Sequence, residues 1–81
     1  MVHRYAISLN HAALRAAEDI DLSRYVTEHF PEQCRVVERG FRGRSVTVEM
    51  TNRSAEIIRE KMSAFAIVEP DVELKLLGNT R

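Results

Sequence analysis

The fold this sequence predicts is an α+β domain: a four-stranded antiparallel sheet with two helices on one face. Three observations carry it. Residues 4–9 and 45–50 alternate apolar and polar side chains with period two, the signature of half-buried strands. Residues 22–30 and 53–62 repeat apolar side chains at helical spacing instead. The remaining apolar stretches, 34–38 and the segment after Ser63, read as extended, so the order is strand, helix, strand, strand, helix, strand. The chain of 81 residues holds one domain, 1–81, with a short tail at 78–81. A domain of this size buries roughly 60–65 % of its unfolded surface, so its stability rests on a single small core.

In the first strand Tyr5, Ile7 and Leu9 share one face and Arg4, Ala6 and Ser8 the other. Asn10 then stands where a helix N-cap would, ahead of the alanine-rich run Ala12, Ala13, Leu14, Ala16 and Ala17. Asp19, Ile20 and Asp21 make a poor helix interior, so residues 11–30 read either as one irregular helix or as a helical turn followed by a second helix capped by Asp21. The second helix places Leu22, Tyr25, Val26 and Phe30 on one stripe, and Pro31 ends it. The strands at 34–38 and 45–50 flank a loop with Gly40 and Gly43, which predicts an antiparallel hairpin with positive-φ positions at its tip. Val46, Val48 and Met50 should point inward, Thr47 and Glu49 outward. Thr51 or Asn52 caps the last helix, whose stripe is Ala55, Ile58 and Met62 with Ile57 flanking. A final extended segment from Ser63 is expected to break or bulge at Glu69, Pro70 and Asp71, then to alternate through Val72, Leu74 and Leu76 and end near Leu77. This order is the βαββαβ, ferredoxin-like plan, in which the second sheet face stays open to solvent or a partner.

Charge and composition exclude several classes of function. Twelve basic residues balance twelve acidic ones, the net charge is zero and the pI is near 6.8, so a nucleic-acid or anionic-membrane footprint is missing. An RNA-binding domain of this plan would carry stacking aromatics on its central strands, where this chain offers Thr47, Glu49 and a single Tyr5. No stretch approaches the ~20 apolar residues of a membrane span, and no apolar signal core follows a basic start, so a cytoplasmic protein is expected. The lone Cys34 has no second thiol for a disulfide or a metal site. His3, His11 and His29 fall on separate elements, which argues against a metal centre. His29 and Cys34, separated by a helix end and Pro31, make a poor nucleophile–base pair. The loop of Arg39, Arg42 and Arg44 around its two glycines suits an anion nest less well than a solvated hairpin tip, because acylphosphatases place their anion loop after the first strand. No catalysis and no cofactor are expected.

The second half carries a resemblance. The strand Val46, Thr47, Val48, Glu49, Met50, the helix from Thr51 to Met62, and the segment Ile67, Val68, Glu69, Pro70, Asp71 before an extended tail resemble the propeptides of subtilisin-like proteases and their free-standing inhibitor relatives. Pro70 stands where that family has an acidic or polar residue, and the region 11–21 is longer than usual in it. The resemblance implies a non-enzymatic inhibitor or folding assistant of a subtilisin-like serine protease, docking by the open sheet face. Glu69 and Asp71 would then cap two helix N-termini of the protease, where an anion is favoured. Leu76, Leu77, Gly78, Asn79, Thr80 and Arg81 would be the tail in its substrate cleft, paired as an added strand. Subtilisin clefts prefer a large apolar anchor, so either the target prefers Arg81, or Leu77 is the anchor, or the tail stays outside. The structural alternative for Glu69 and Asp71 is a solvated, aggregation-resistant edge strand. The alternative function is a small interaction module, or a homodimer, that blocks or scaffolds a non-protease partner as phage-type inhibitors do. A ligand-sensing domain would need a glycine-rich effector loop, which the sequence lacks.

Overall fold

A computed structural model of the protein describes residues 1–16 and 20–71. In chain order the elements are β1 (Val2–Leu9), α1 (His11–Arg15), α2 (Leu22–His29), β2 (Cys34–Arg39), a 3-10 turn (Phe41–Gly43), β3 (Ser45–Thr51), α3 (Asn52–Lys61) and β4 (Ala66–Pro70). The strands form one antiparallel sheet in the order β2-β3-β1-β4, with β1 and β3 in the middle. Three helices are described where two were expected, because the segment 11–30 contains two starts. Asn10 accepts a hydrogen bond from the Ala13 amide and opens α1; Asp21 accepts one from the Arg24 amide and opens α2. Residues 17–19, including Ala17 and Asp19 of that segment, lie outside the described residues.

One hydrophobic cluster joins all three helices to a single face of the sheet. Ala13 of α1, Leu22 and Val26 of α2, and Ala55 and Ile58 of α3 with Met62 just beyond it pack on Tyr5, Ile7, Leu9, Val46, Val48, Met50, Ala66 and Val68. Every strand residue in that set sits at an alternate position, as the period-two reading required. The other face is therefore bare of helices, and Ala6, Ser8, Ser45, Thr47 and Ile67 lie on it.

Two features of the strands depart from expectation. The β2–β3 register shifts by one residue between Val36 and Glu38, a bulge at Val37, so β2 changes phase halfway along. Cys34 and Val36 lie over Met50 and Val48 on the helix side; beyond the bulge Glu38 lies opposite Thr47 on the open side. The expected break at Glu69 and Pro70 does not occur. Both belong to β4, paired in unbroken register with Ala6 and Tyr5, and the Asp71 amide continues the ladder to the Arg4 carbonyl at 3.0 Å. The reason lies in the pairing phase. Asn10 and Asp71 both donate across to the neighbouring chain segment's hydrogen-bonding positions, so Pro70 falls at the intervening position whose nitrogen faces away from β1. A proline there removes no ladder bond. The expected continuation through Val72, Leu74 and Leu76 lies outside the described residues.

The hairpin tip is built as the glycines predicted, with Arg42 at φ 56° and Gly43 at φ 71°. Gly43 also backs directly onto Asp21: a Cβ there would meet the carboxylate oxygen at 2.5 Å. Ile58 is fully buried, whereas Ile67 is 42 % exposed on the open face. Replacing Ile58 by alanine should accordingly destabilise the domain by about 2–5 kcal/mol, while Ile67→Ala should stay within about 0.5 kcal/mol. Urea melts of the two variants check the contrast.

Candidate functional site

The helix-free face is a charged ladder at one end and a strip of small side chains at the other. Across the four strands, one row reads Arg35, Glu49, Arg4, Asp71, from β2 to β4. The next reads Glu38, Thr47, Ala6, Glu69. Glu49 sits between two guanidiniums, 2.5 Å from Arg35 and 3.7 Å from Arg4. The hydrogen bond from Arg35, reinforced by the positive charges of Arg35 and Arg4, holds the Glu49 carboxyl below the usual carboxylate range. Glu69 and Asp71 lie two residues apart on the same face at this edge of the sheet. The tail residues Leu76, Leu77, Gly78, Asn79, Thr80 and Arg81 lie outside the described residues.

The outer edge of β4 is closed to strand addition. Arg59 of α3 donates from Nε and from a terminal nitrogen to the Val68 carbonyl, at 3.2 and 3.1 Å. The Ala66 amide is taken by the Met62 carbonyl at 2.9 Å, and Pro70 has no N–H to offer. The face rather than this edge is what the domain presents.

The other chemistry-bearing groups are used locally. His29 donates from Nδ1 to the Tyr25 carbonyl at 3.0 Å and stacks on the Tyr25 ring at 4.0 Å. Cys34 donates to the Phe30 carbonyl at 3.8 Å, and burial pushes its thiol pKa up, away from a reactive thiolate. Each thus satisfies a carbonyl at the end of α2, and neither addresses the other. His3 and His11 stand on β1 and α1, and among the described residues no three His, Cys, Asp or Glu side chains converge for a metal ion. At the hairpin tip the Gly40 amide bonds the Ser45 carbonyl and the Gly43 amide the Gly40 carbonyl, so both glycine donors close the turn instead of facing an anion. Arg39 turns to the helix side and meets Asp21 at 2.8 Å.

A recess of about 550 Å³ lies where Arg4 and Asp71 meet, lined also by His3, Tyr5, Asn52 and Pro70. The Tyr5 hydroxyl donates to the Asn52 carboxamide oxygen across it, and among the described residues no buried side-chain polar atom is left without a partner. No described helix is long and apolar enough to cross a membrane. Comparison with protein-family models, with curated proteins and with solved structures finds no match in any of the three.

Sequence reasoning missed Glu38 and Arg59. The strand pattern gave Glu38 no face, because Cys34, Arg35, Val36 and Val37 do not alternate cleanly, and the Arg59 contact joins two elements through a backbone atom.

Two ion-paired carboxylates with lowered pKa, Asp21 and Glu49, set an acid limit. Hydrogen bonds from the Ser23 hydroxyl and the Arg24 amide, together with the Arg39 charge, lower the pKa of Asp21 as the arginines lower that of Glu49. A depressed folded-state pKa gives stability that is complete above the unfolded value, about 4, and lost as pH falls through the folded value. The Asp21→Asn, Glu49→Gln double variant, which keeps a capping side chain at 21, should therefore lose less of its melting temperature than the parent between pH 5 and pH 2, measured by circular dichroism. Removing the Arg59 donors should cost about 1 kcal/mol, a fall of about 4–8 °C in Tm for a domain of this size. Arg53→Ala, on the same helix but without a bond to β4, should leave Tm nearly unchanged.

Proposed function

We propose that the chain is a non-enzymatic protein-binding domain of ferredoxin-like plan that docks through its helix-free face, and that its partner is a subtilisin-like serine protease in the cytoplasm, which it inhibits or helps to fold. The order β2-β3-β1-β4, with α2 leading from β1 to β2 and α3 from β3 to β4, supports the fold reading. The observation that carries the function is the placement of Glu69 and Asp71. Both stand on the open face of β4, beside the small side chains Ala6 and Thr47, which let another protein's surface approach the sheet closely. Asp71, the last described residue, bonds the Arg4 carbonyl at the rim of that face. An interface of roughly 800 Å² per partner is the ordinary size for such an inhibitor.

Inhibition assays against a panel of subtilisin-type proteases test the reading. The intact chain should compete with substrate. Deleting Gly78, Asn79, Thr80 and Arg81, or Leu76 and Leu77 with them, should weaken inhibition at least about tenfold, 1.4 kcal/mol, at unchanged Tm. No inhibition by the intact chain anywhere in the panel would sink the protease assignment, and equal inhibition by the truncated chain would remove the tail from the mechanism.

A further inference from the structure

The bulge at Val37 gives the open face a second acidic border. In an unbroken strand Glu38 would share the helix side with Val36; the extra residue turns it to the open side, opposite Thr47, and sends Arg39 to Asp21 at the helix layer. Glu38 lies on one edge strand and Glu69 on the other, three strand spacings or roughly 14 Å apart. Between them run Thr47 and Ala6, small and half-buried. The face as a whole carries four carboxylates (Glu38, Glu49, Glu69, Asp71) against two guanidiniums (Arg4, Arg35), while the entire chain is neutral. Both guanidiniums contact Glu49, so among the described residues of this face the carboxylates exceed the guanidiniums and the excess lies at the borders.

From this we infer that Glu38 is a partner-binding residue, and that Glu38 together with Glu69 and Asp71 selects a protein whose docking surface is lined with Lys and Arg. The inference rests on the reading of this face as the docking surface and adds the charge of what docks there. Positive groups on the partner, set at the two borders of the contact, meet carboxylates that form no ion pair among the described residues. Charges at such a rim act mainly on association rate and on its salt dependence. A second copy docked about a two-fold axis parallel to the strands would lay the β2 edge of one copy on the β4 edge of the other and bring the Glu38 and Glu69 carboxylates together, which disfavours that pairing.

Titration of the ¹⁵N-labelled full chain with two helical peptides, identical except that one carries lysines where the other carries glutamates, tests the inference by NMR. The lysine peptide should shift the amides of Glu38, Thr47, Ala6 and Glu69 and the glutamate peptide should not. Glu38→Gln and Glu69→Gln should each weaken lysine-peptide binding about two- to fivefold at low salt. Glu56→Gln, on the exposed side of α3, should leave it unchanged. Shifts equal for both peptides or confined to other surfaces, an unaffected Glu38→Gln variant, or a dimeric mass by light scattering would overturn it. A bound lysine peptide with no protease inhibited would overturn the protease assignment alone; an inhibited protease with the lysine peptide unbound would overturn the basic-surface inference alone.

Discussion

The phase of β1 is the constraint on which the rest of this structure depends. Like β3 it has a neighbour on each side, and its odd-numbered residues do two things at once. Tyr5, Ile7 and Leu9 enter the core, and the same parity directs the Leu9 amide to the Arg44 carbonyl of the β3 side. Its even-numbered residues face the bare side and bond toward β4, as the Arg4 carbonyl does with the Asp71 amide. A slip of one residue would put Arg4, Ala6 and Ser8 into the core and expose three large apolar side chains. A one-residue slip of β4 against β1 would likewise turn the missing N–H of Pro70 into the ladder. Core, open face and proline are consistent only with one register.

That one-sidedness concentrates the stability and frees the function. The helices and the inner face bury the core residues in a single cluster, so the outer face can carry charge without a folding penalty for burying it. The edges are treated differently. β4 is sealed by Arg59 and Pro70, and β2 is broken by its bulge, so neither offers a long flat row of free backbone groups. With both edges blunted, the bare face is where the proposed docking would take place.

Much of this was legible in the sequence, where local chemistry decides the outcome. Alternation placed β1 and β3, Thr51 and Asp21 capped helices as their side chains suggested, and of the hairpin-tip glycines Gly43 took up the left-handed conformation, alongside Arg42. Glu69 and Asp71 share a face because they are two residues apart on a strand. What was hidden depends on partners distant in the chain. Pro70 looks like a strand breaker until the pairing phase with β1 is known. Glu38 cannot be assigned a face until β2 is laid on β3 and the extra residue found. The ambiguity of residues 11–30 was itself informative, since two capping residues stand in that stretch and each opens a helix.

Asp21 ties two of these elements into one unit. One oxygen of its carboxylate caps α2 through the Arg24 amide, the other receives Arg39 from β2, and Gly43 at the hairpin tip fits against it only for want of a side chain. The first turn of α2 and the closed end of the β2–β3 hairpin therefore share a single anchor, Asp21 and Arg39 being 18 residues apart along the chain. Fraying of either end releases a charged group at the other, so helix and hairpin open together instead of loosening separately, and amide exchange from the two should report one cooperative event.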